Sequence, residues 1–256
     1  MKILASDYDG TLRTGKCVSE ENVEAIRAFR AHGNAFGIVT GRSVETIRQE
    51  IEKNHLEVDF LVTNNGGIIC DQEYRSIKKD TMDFDKAMEL VSYIRTLPCE
   101  FFSIGDGFRR LRIYVDGKEE AHTADPRLDL TWEELQKNRQ IVQIVMFLHD
   151  QKRVEEITDH IQHAFAGHVS AYQNIGCIDI APDLVSKSSG LHFVKEWKGY
   201  RHEDIYTIGD SFNDLPMIDE FHGFCVSHAS SQIKEHAERV VDTVSEAIAH
   251  LMQISS

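Results

Sequence analysis

At both ends of the chain, short apolar runs alternate with longer stretches in which apolar side chains recur every three or four positions. The short runs at 3–6, 35–39 and 60–63 read as buried strands, and the stretches at 19–32 and 44–54 as amphipathic helices. In the first helix Val23, Ile26 and Phe29 share one face. Ser19 ahead of Glu20, Glu21 and Asn22 supplies an N-cap with acidic first-turn residues, and Gly33 supplies a stop. Asn64-Asn65-Gly66-Gly67 then turns the chain into a hairpin strand at 68–70. The same rhythm returns at the far end, with helices at 190–197, 213–219, 233–237 and 244–252 around strands at 205–208, 223–226 and 239–241. Strands alternating with helices predict an α/β fold, a doubly wound parallel sheet covered on both faces. Ligands in such sheets sit at the carboxyl ends of the strands.

The middle has a different texture. A helix at 84–97 leads to strands at 100–104 and 110–115, a polar stretch at 117–139, and a strand at 141–149. A helix at 152–165 and strands at 169–173 and 177–181 complete it. This is an α+β module of antiparallel character, inserted at 81–184 into a core formed by 1–80 and 185–256. Gly105-Asp106-Gly107 reads as a hairpin turn within it, and not as a metal loop.

Composition narrows the function. The chain has 256 residues and a formal charge of −14, too acidic for a protein that grips a phosphate backbone. Five scattered cysteines without a Cys-x-x-Cys pair argue for reduced, mostly buried thiols, a cytoplasmic setting and neither a disulfide framework nor a zinc site. The 13 histidines include no His-x-x-x-His or His-x-His pair. No apolar run is long enough to span a membrane.

The chemistry sits just after the strands. Asp7 and Asp9 follow the first one, and period-two alternation would make their carboxylates converge. Such a pair calls for a hard cation such as Mg²⁺, leaving one carboxylate free to act as nucleophile and the other to handle a proton. Thr40 and Gly41 follow the second strand, offering a hydroxyl and an approachable backbone N–H near a helix entry. Lys187 precedes a helix, and Gly209-Asp210 repeats the strand-then-acid arrangement with Asn213 and Asp214 one turn on. Arg109, Arg110 and Arg112 could reach an anionic substrate, but read more naturally as charges blunting a solvated edge strand. Trp132 and Trp197 read as structural.

Strand-acid-x-acid, strand-Thr-Gly, helix-entry lysine and strand-Gly-Asp with Asn-Asp, in this order, resemble the four-motif signature of the haloacid dehalogenase superfamily. The insert resembles its C2-type cap. Thr63-Asn64-Asn65-Gly66-Gly67, Ile178-Asp179-Ile180-Ala181-Pro182 and Ile208-Gly209-Asp210-Ser211-Phe212-Asn213-Asp214 are similar to its Cof-type phosphatases. Two segments depart from that pattern, Ser186-Lys187-Ser188-Ser189-Gly190 and Gly223-Phe224-Cys225-Val226-Ser227-His228-Ala229. The resemblance implies a phosphatase for small phosphorylated metabolites, sugar phosphates first among them. Asp7 would form an aspartyl-phosphate, and Asp9 would protonate the leaving alkoxide and then activate water. Mg²⁺ would be held by the side chains of Asp7 and Asp210 and the backbone carbonyl of Asp9, with Asp214 in support. Thr40, Gly41, Lys187 and Asn213 would grip the phosphoryl oxygens. The alternatives are a mutase of the phosphomannomutase type, passing the phosphoryl group to a sugar hydroxyl, and a non-catalytic sensor of phosphorylated ligands.

Overall fold

In a computed structural model, which describes all residues except 116–119, 122–124, 149, 175 and 254–256, the chain folds into two sheets with separate cores. The first segment runs β1 (Ile3–Ser6), α1 (Glu20–Ala31), β2 (Ala35–Val39), α2 (Val44–Lys53), β3 (Phe60–Thr63), β4 (Ile68–Asp71) and β5 (Ser76–Lys79). The middle runs α3 (Phe84–Ile94), β6 (Cys99–Gly105), β7 (Arg110–Tyr114), β8 (Glu120–Ala121), α4 (Trp132–Asn138), β9 (Gln143–Leu148), α5 (Val154–Ala164), β10 (Val169–Asn174) and β11 (Cys177–Pro182). The last segment runs α6 (Lys187–Lys198), β12 (Ile205–Gly209), α7 (Leu215–Glu220), β13 (His222–Val226), α8 (Ser231–Lys234), β14 (Arg239–Val241) and α9 (Val244–Gln253).

Among the described residues the core sheet has the order β14-β13-β12-β1-β2-β3-β4-β5, parallel from β14 to β3 and antiparallel beyond. β1 lies at its centre, wholly buried, which is why it reads as an unbroken apolar run. Alternate residues feed opposite faces. Leu4, Phe36 and Leu61 meet α1, α2 and α9, while Ile3, Ala5, Val39 and Val62 meet α6 and α7. Since β12, β1 and β2 are adjacent and parallel, Asp210, Asp7 and Thr40 come out together at one edge. The doubly wound core is thus as the pattern predicts.

The middle builds the cap, with strand order β10-β11-β9-β6-β7-β8, antiparallel throughout. One face packs Phe102, Ile104, Ile144, Met146, Ile178 and Ile180 against α3 and α5. The other face looks onto the core's strand ends, and the hairpin tip docks there. The Gly107 carbonyl accepts from Val44 N–H (3.0 Å) and Asn64 Nδ2 (2.9 Å), so Gly105-Asp106-Gly107 is a turn, as expected, and an anchor as well. Trp132 packs on the cap cluster and Trp197 on the core.

Several boundaries differ from expectation for local reasons. α3 ends at Ile94 because Pro98 disfavours helical backbone ahead of it. α6 begins at Lys187, since Ser186 and Ser189 cap each other reciprocally. The polar stretch at 117–139 hides α4, announced by a Thr131–Glu134 capping box. β5, polar and exposed at the sheet edge, lacked an apolar pattern. The expected strand at 141–149 includes residue 149, which lies outside the described residues.

The Asn64–Gly67 turn sits tightly against the entry to α6. Asn64 and Asn65 both adopt positive φ, which asparagine tolerates better than most residues. Gly66 has φ +104°, and a Cβ there would lie 2.1 Å from the Ser186 carbonyl oxygen. Gly66→Ala is therefore expected to destabilise the protein by about 2 kcal/mol or more, read as a lowered urea midpoint.

Candidate active site

β1 ends at Ser6, and with it the alternation that would have made Asp7 and Asp9 converge. Asp7 turns inward and is buried, whereas Asp9 lies in the following turn with its side chain 42% exposed. Asp7 instead meets residues from distant parts of the chain. Lys187 Nζ donates to Asp7 Oδ1 (2.7 Å) and to Asp214 Oδ1 (2.5 Å), and all three side chains are nearly inaccessible to solvent. Asp214 Oδ2 accepts from the backbone N–H groups of Asp210 and Ser211, both at 3.0 Å. Asp214 thus fixes both the lysine and the loop after β12.

Oxygens of Asp7, Asp210 and Asp214 lie within 4.8 Å of one another, with one ammonium among three carboxylates. Asp7 Oδ2 is buried and has no hydrogen-bond partner. Burial above all raises the Asp7 carboxyl well above the usual range; Lys187 opposes this, and Asp214 and Asp210 add to it. Burial and then Asp214 raise Asp210, against a hydrogen bond from Thr11 Oγ1 (2.8 Å). Burial pulls Lys187 down, but the attraction of Asp214 and Asp7 wins and holds it firmly protonated. A buried cluster of excess negative charge with a free carboxylate oxygen is suited to a hard divalent cation.

Gly10 lets the loop close over this cluster. Its φ is +93°, and a Cβ would meet Asp210 Oδ2 at 2.5 Å. His228, from the segment that departs from the expected pattern, has Nε2 2.7 Å from the Gly10 carbonyl oxygen. Asp9 is clasped by Arg42, whose Nε and Nη2 lie 2.6 and 2.9 Å from Oδ2 and Oδ1, and also by Arg13. Burial pulls the Asp9 carboxyl up, yet the two guanidiniums outweigh it and hold it below the usual range.

Thr40 and Gly41 reach the same edge. Thr40 is buried, with Oγ1 accepting from Arg42 N–H (3.2 Å). Asn213 Nδ2 donates to Asn65 Oδ1 (3.1 Å), leaving Asn213 Oδ1 and Asn65 Nδ2 buried without partners. A cavity of 430 Å³ lies between this edge and the cap, lined by Asp7, Thr40, Gly41 and Asp210 below and by Phe147 and Asp179 among others above.

All the expected site residues therefore gather at this edge, with Asp9 facing Arg42 and not Asp7. Sequence reasoning missed Thr11, Arg42, Asn65 and Asp179 as contributors. Asn65 and Asp179 stand out in the sequence only through the family resemblance of their segments, and Arg42, directly after Gly41, carries no signal until its partner 33 positions away is known. Arg110 and Arg112 do not blunt an edge, because β7 is paired on both sides, and Arg109, just ahead of it, bonds Glu134 and the Asp129 carbonyl. Arg110 turns into the cavity and donates to the Gly41 carbonyl (2.7 Å). Among the described residues, no helix is long and apolar enough to cross a membrane, and the five cysteines are free thiols, with only Cys17 exposed.

A family model described as haloacid dehalogenase-like hydrolase matches residues 4–252. The chain is 26% identical to the 5-amino-6-(5-phospho-D-ribitylamino)uracil phosphatase YwtE of Bacillus subtilis, over 92% of this chain and 91% of the relative. It is 27% identical to YcsE of the same organism, which carries the same activity name, over 98% and 95%. Its fold is similar to that of the subclass IIB sugar phosphatase BT4131, with a TM-score of 0.80 at 18% identity, covering 99% of this chain and 100% of the other.

Proposed function

The chain belongs to the haloacid dehalogenase-like hydrolases, and from that premise we propose that it is a Mg²⁺-dependent phosphatase for small phosphomonoesters, sugar phosphates first among them, working through an aspartyl-phosphate. The observation that carries the reading is the buried Lys187 bridging Asp7 and Asp214 while Asp7 Oδ2 stays unpartnered. A phosphate dianion repels a carboxylate nucleophile, so attack needs positive charge on the phosphoryl oxygens. Lys187 supplies one such charge. The side chains of Asp7 and Asp210 and the backbone carbonyl of Asp9 would hold Mg²⁺, with Asp214 in support, and the bound ion would neutralise phosphoryl charge from the other side.

In the first step Asp7 Oδ2 bonds to phosphorus as the bond to the leaving oxygen breaks. Asp9, once released from Arg42 and Arg13 and protonated from solvent, delivers that proton to the leaving oxygen. In the second step water bonds to phosphorus, the bond to Asp7 breaks, and the water proton returns to Asp9. Thr40, Gly41 and Asn213 orient the phosphoryl oxygens. Residues 81–184 form the cap that closes over the reaction and excludes water. The net negative charge and free thiols suit a cytoplasmic enzyme of small metabolites and not a nucleic-acid partner.

The test is release of inorganic phosphate from a panel of sugar monophosphates together with 5-amino-6-(5-phospho-D-ribitylamino)uracil, the compound named for the two Bacillus relatives. Release with Mg²⁺ that EDTA abolishes is expected. Isomerised sugar phosphate without free phosphate would point to the mutase, and binding without any product to the sensor.

A further inference from the structure

The segment 223–229, one of the two that depart from the expected pattern, brings a histidine to the edge of the acidic cluster. β13 ends at Val226 beside β12, with Cys225 paired to Gly209, the residue before Asp210. Just past the strand, Ser227 N–H donates to the Val241 carbonyl (2.7 Å) and Ala229 N–H to the Val226 carbonyl (3.0 Å), while Ala229 is buried in the core. The backbone on either side of His228 is therefore fixed, and its exposed side chain crosses to the loop after β1. There Nε2 lies 2.7 Å from the Gly10 carbonyl oxygen, 218 positions away. A carbonyl oxygen only accepts, so Nε2 carries the proton, as it does both in one neutral tautomer and in the imidazolium. The bond thus survives a change in the histidine's charge.

Gly10 is where that loop needs a hold, because glycine has the freest backbone of any residue. Within the loop, Gly10 N–H donates to the Arg13 carbonyl (3.0 Å) and Arg13 N–H to the Tyr8 carbonyl (2.8 Å). A trans peptide is planar, so the Gly10 N–H and the Asp9 carbonyl point in opposite directions and move together. On the other side, the Gly10 carbonyl belongs to the peptide leading into Thr11, whose Oγ1 donates to Asp210 Oδ1 (2.8 Å). The two peptides of Gly10 therefore lead to two of the groups assigned to the metal, the Asp9 carbonyl and Asp210. His228 ties the second of these peptides to a neighbouring strand end.

We propose that His228 is a positioning residue for the Mg²⁺ site: by holding the Gly10 carbonyl, it sets the Asp9 carbonyl and, through Thr11, the Asp210 carboxylate before the ion binds. The proposal rests on the Mg²⁺-dependent reading of this cluster. His228 is not itself a ligand there. The carboxylates gathered within 4.8 Å are those of Asp7, Asp210 and Asp214, and the histidine's Nε2 is spent on Gly10. Without that bond the most flexible residue of the loop would have to be ordered at each binding event, at a cost in affinity. Contacts that orient metal ligands typically govern affinity by about 10–100-fold.

The experiment measures Mg²⁺ binding to the full chain by isothermal titration calorimetry. Beside it run the melting temperature in EDTA and phosphate release from p-nitrophenyl phosphate over a range of Mg²⁺ concentrations. His228→Ala is expected to raise the Kd for Mg²⁺ by about tenfold, and excess Mg²⁺ to recover most of the lost turnover. Its melting temperature in EDTA should stay within about 2 °C of wild type, because the side chain removed is exposed. His228→Gln, whose side-chain amide donates at similar reach, should restore most of the affinity, and His228→Phe, with no donor, should not. Unchanged affinity in His228→Ala, whether or not its melting temperature falls, would overturn the proposal and leave the phosphatase reading standing. So would a His228→Gln variant that binds Mg²⁺ as weakly as His228→Ala. Wild type that neither binds Mg²⁺ nor releases phosphate would overturn the reading and the proposal together.

Discussion

Asp7→Asn is expected to lower kcat by a factor on the order of 10³ or more on every substrate, because on the proposed mechanism Asp7 is the covalent nucleophile and no other group can take its place. The variant should nonetheless fold. Lys187 keeps its second partner, Asp214, and one of three crowded carboxylates is removed, so repulsion around the lone ammonium falls. The melting temperature in metal-free buffer is therefore expected to match or exceed that of wild type, the usual relation where a site stores unfavourable charge for function. Phosphate release and thermal unfolding, measured on the same preparation, separate the two effects. Retained turnover would remove Asp7 from the role of nucleophile, and a collapse in stability would mean that its bond to Lys187 matters more than the repulsion it suffers.

Lys187→Met is expected to have the largest effect on stability. The lysine is 1% exposed and bonds to two buried carboxylates, so its loss leaves Asp7 and Asp214 without their counter-ion. Removing one member of a buried ion pair costs about 3–5 kcal/mol, more than the stability margin many domains can lose unnoticed. Turnover should vanish as well, since on the proposed mechanism the phosphoryl oxygens lose a fixed cation. Divalent metal offers a diagnostic. Added Mg²⁺ should restore more melting temperature to Lys187→Met than it adds to wild type, because the acidic cluster then has no other cation. A urea midpoint close to that of wild type, with no metal response, would show that the cluster relaxes by taking up protons instead.

The fold was legible because its signals are local. The strands at 35–39 and 60–63 appear as read, each a buried run marked by composition alone, and the strand at 239–241 also appears as read, with only Val241 buried. The elements that escaped were those whose stability comes from elsewhere. β5 is four residues of polar sequence held by pairing to β4, and β8 two residues held by β7. α4 did announce itself, through a capping box overlooked inside a polar stretch.

The site divides along the same line. From the sequence alone came the placement of Asp7, Thr40 and Asp210 at one sheet edge, since adjacent parallel strands bring their carboxyl ends together whatever the side chains do afterwards. The tertiary structure alone decided which way those side chains face and what they meet. Asp9 follows the end of β1, where alternation no longer governs direction, and it pairs with Arg42. Lys187 finds Asp7 across 180 positions. Arg110 and Asp179 reach the cavity because the cap is docked on the core, through the hairpin tip at Gly107 on α2 and the Asn64 turn and through Ser211 and Asn174. Periodicity reports which face of an element is buried, but not what another domain sets against it, because that contact depends on docking between segments far apart in the chain.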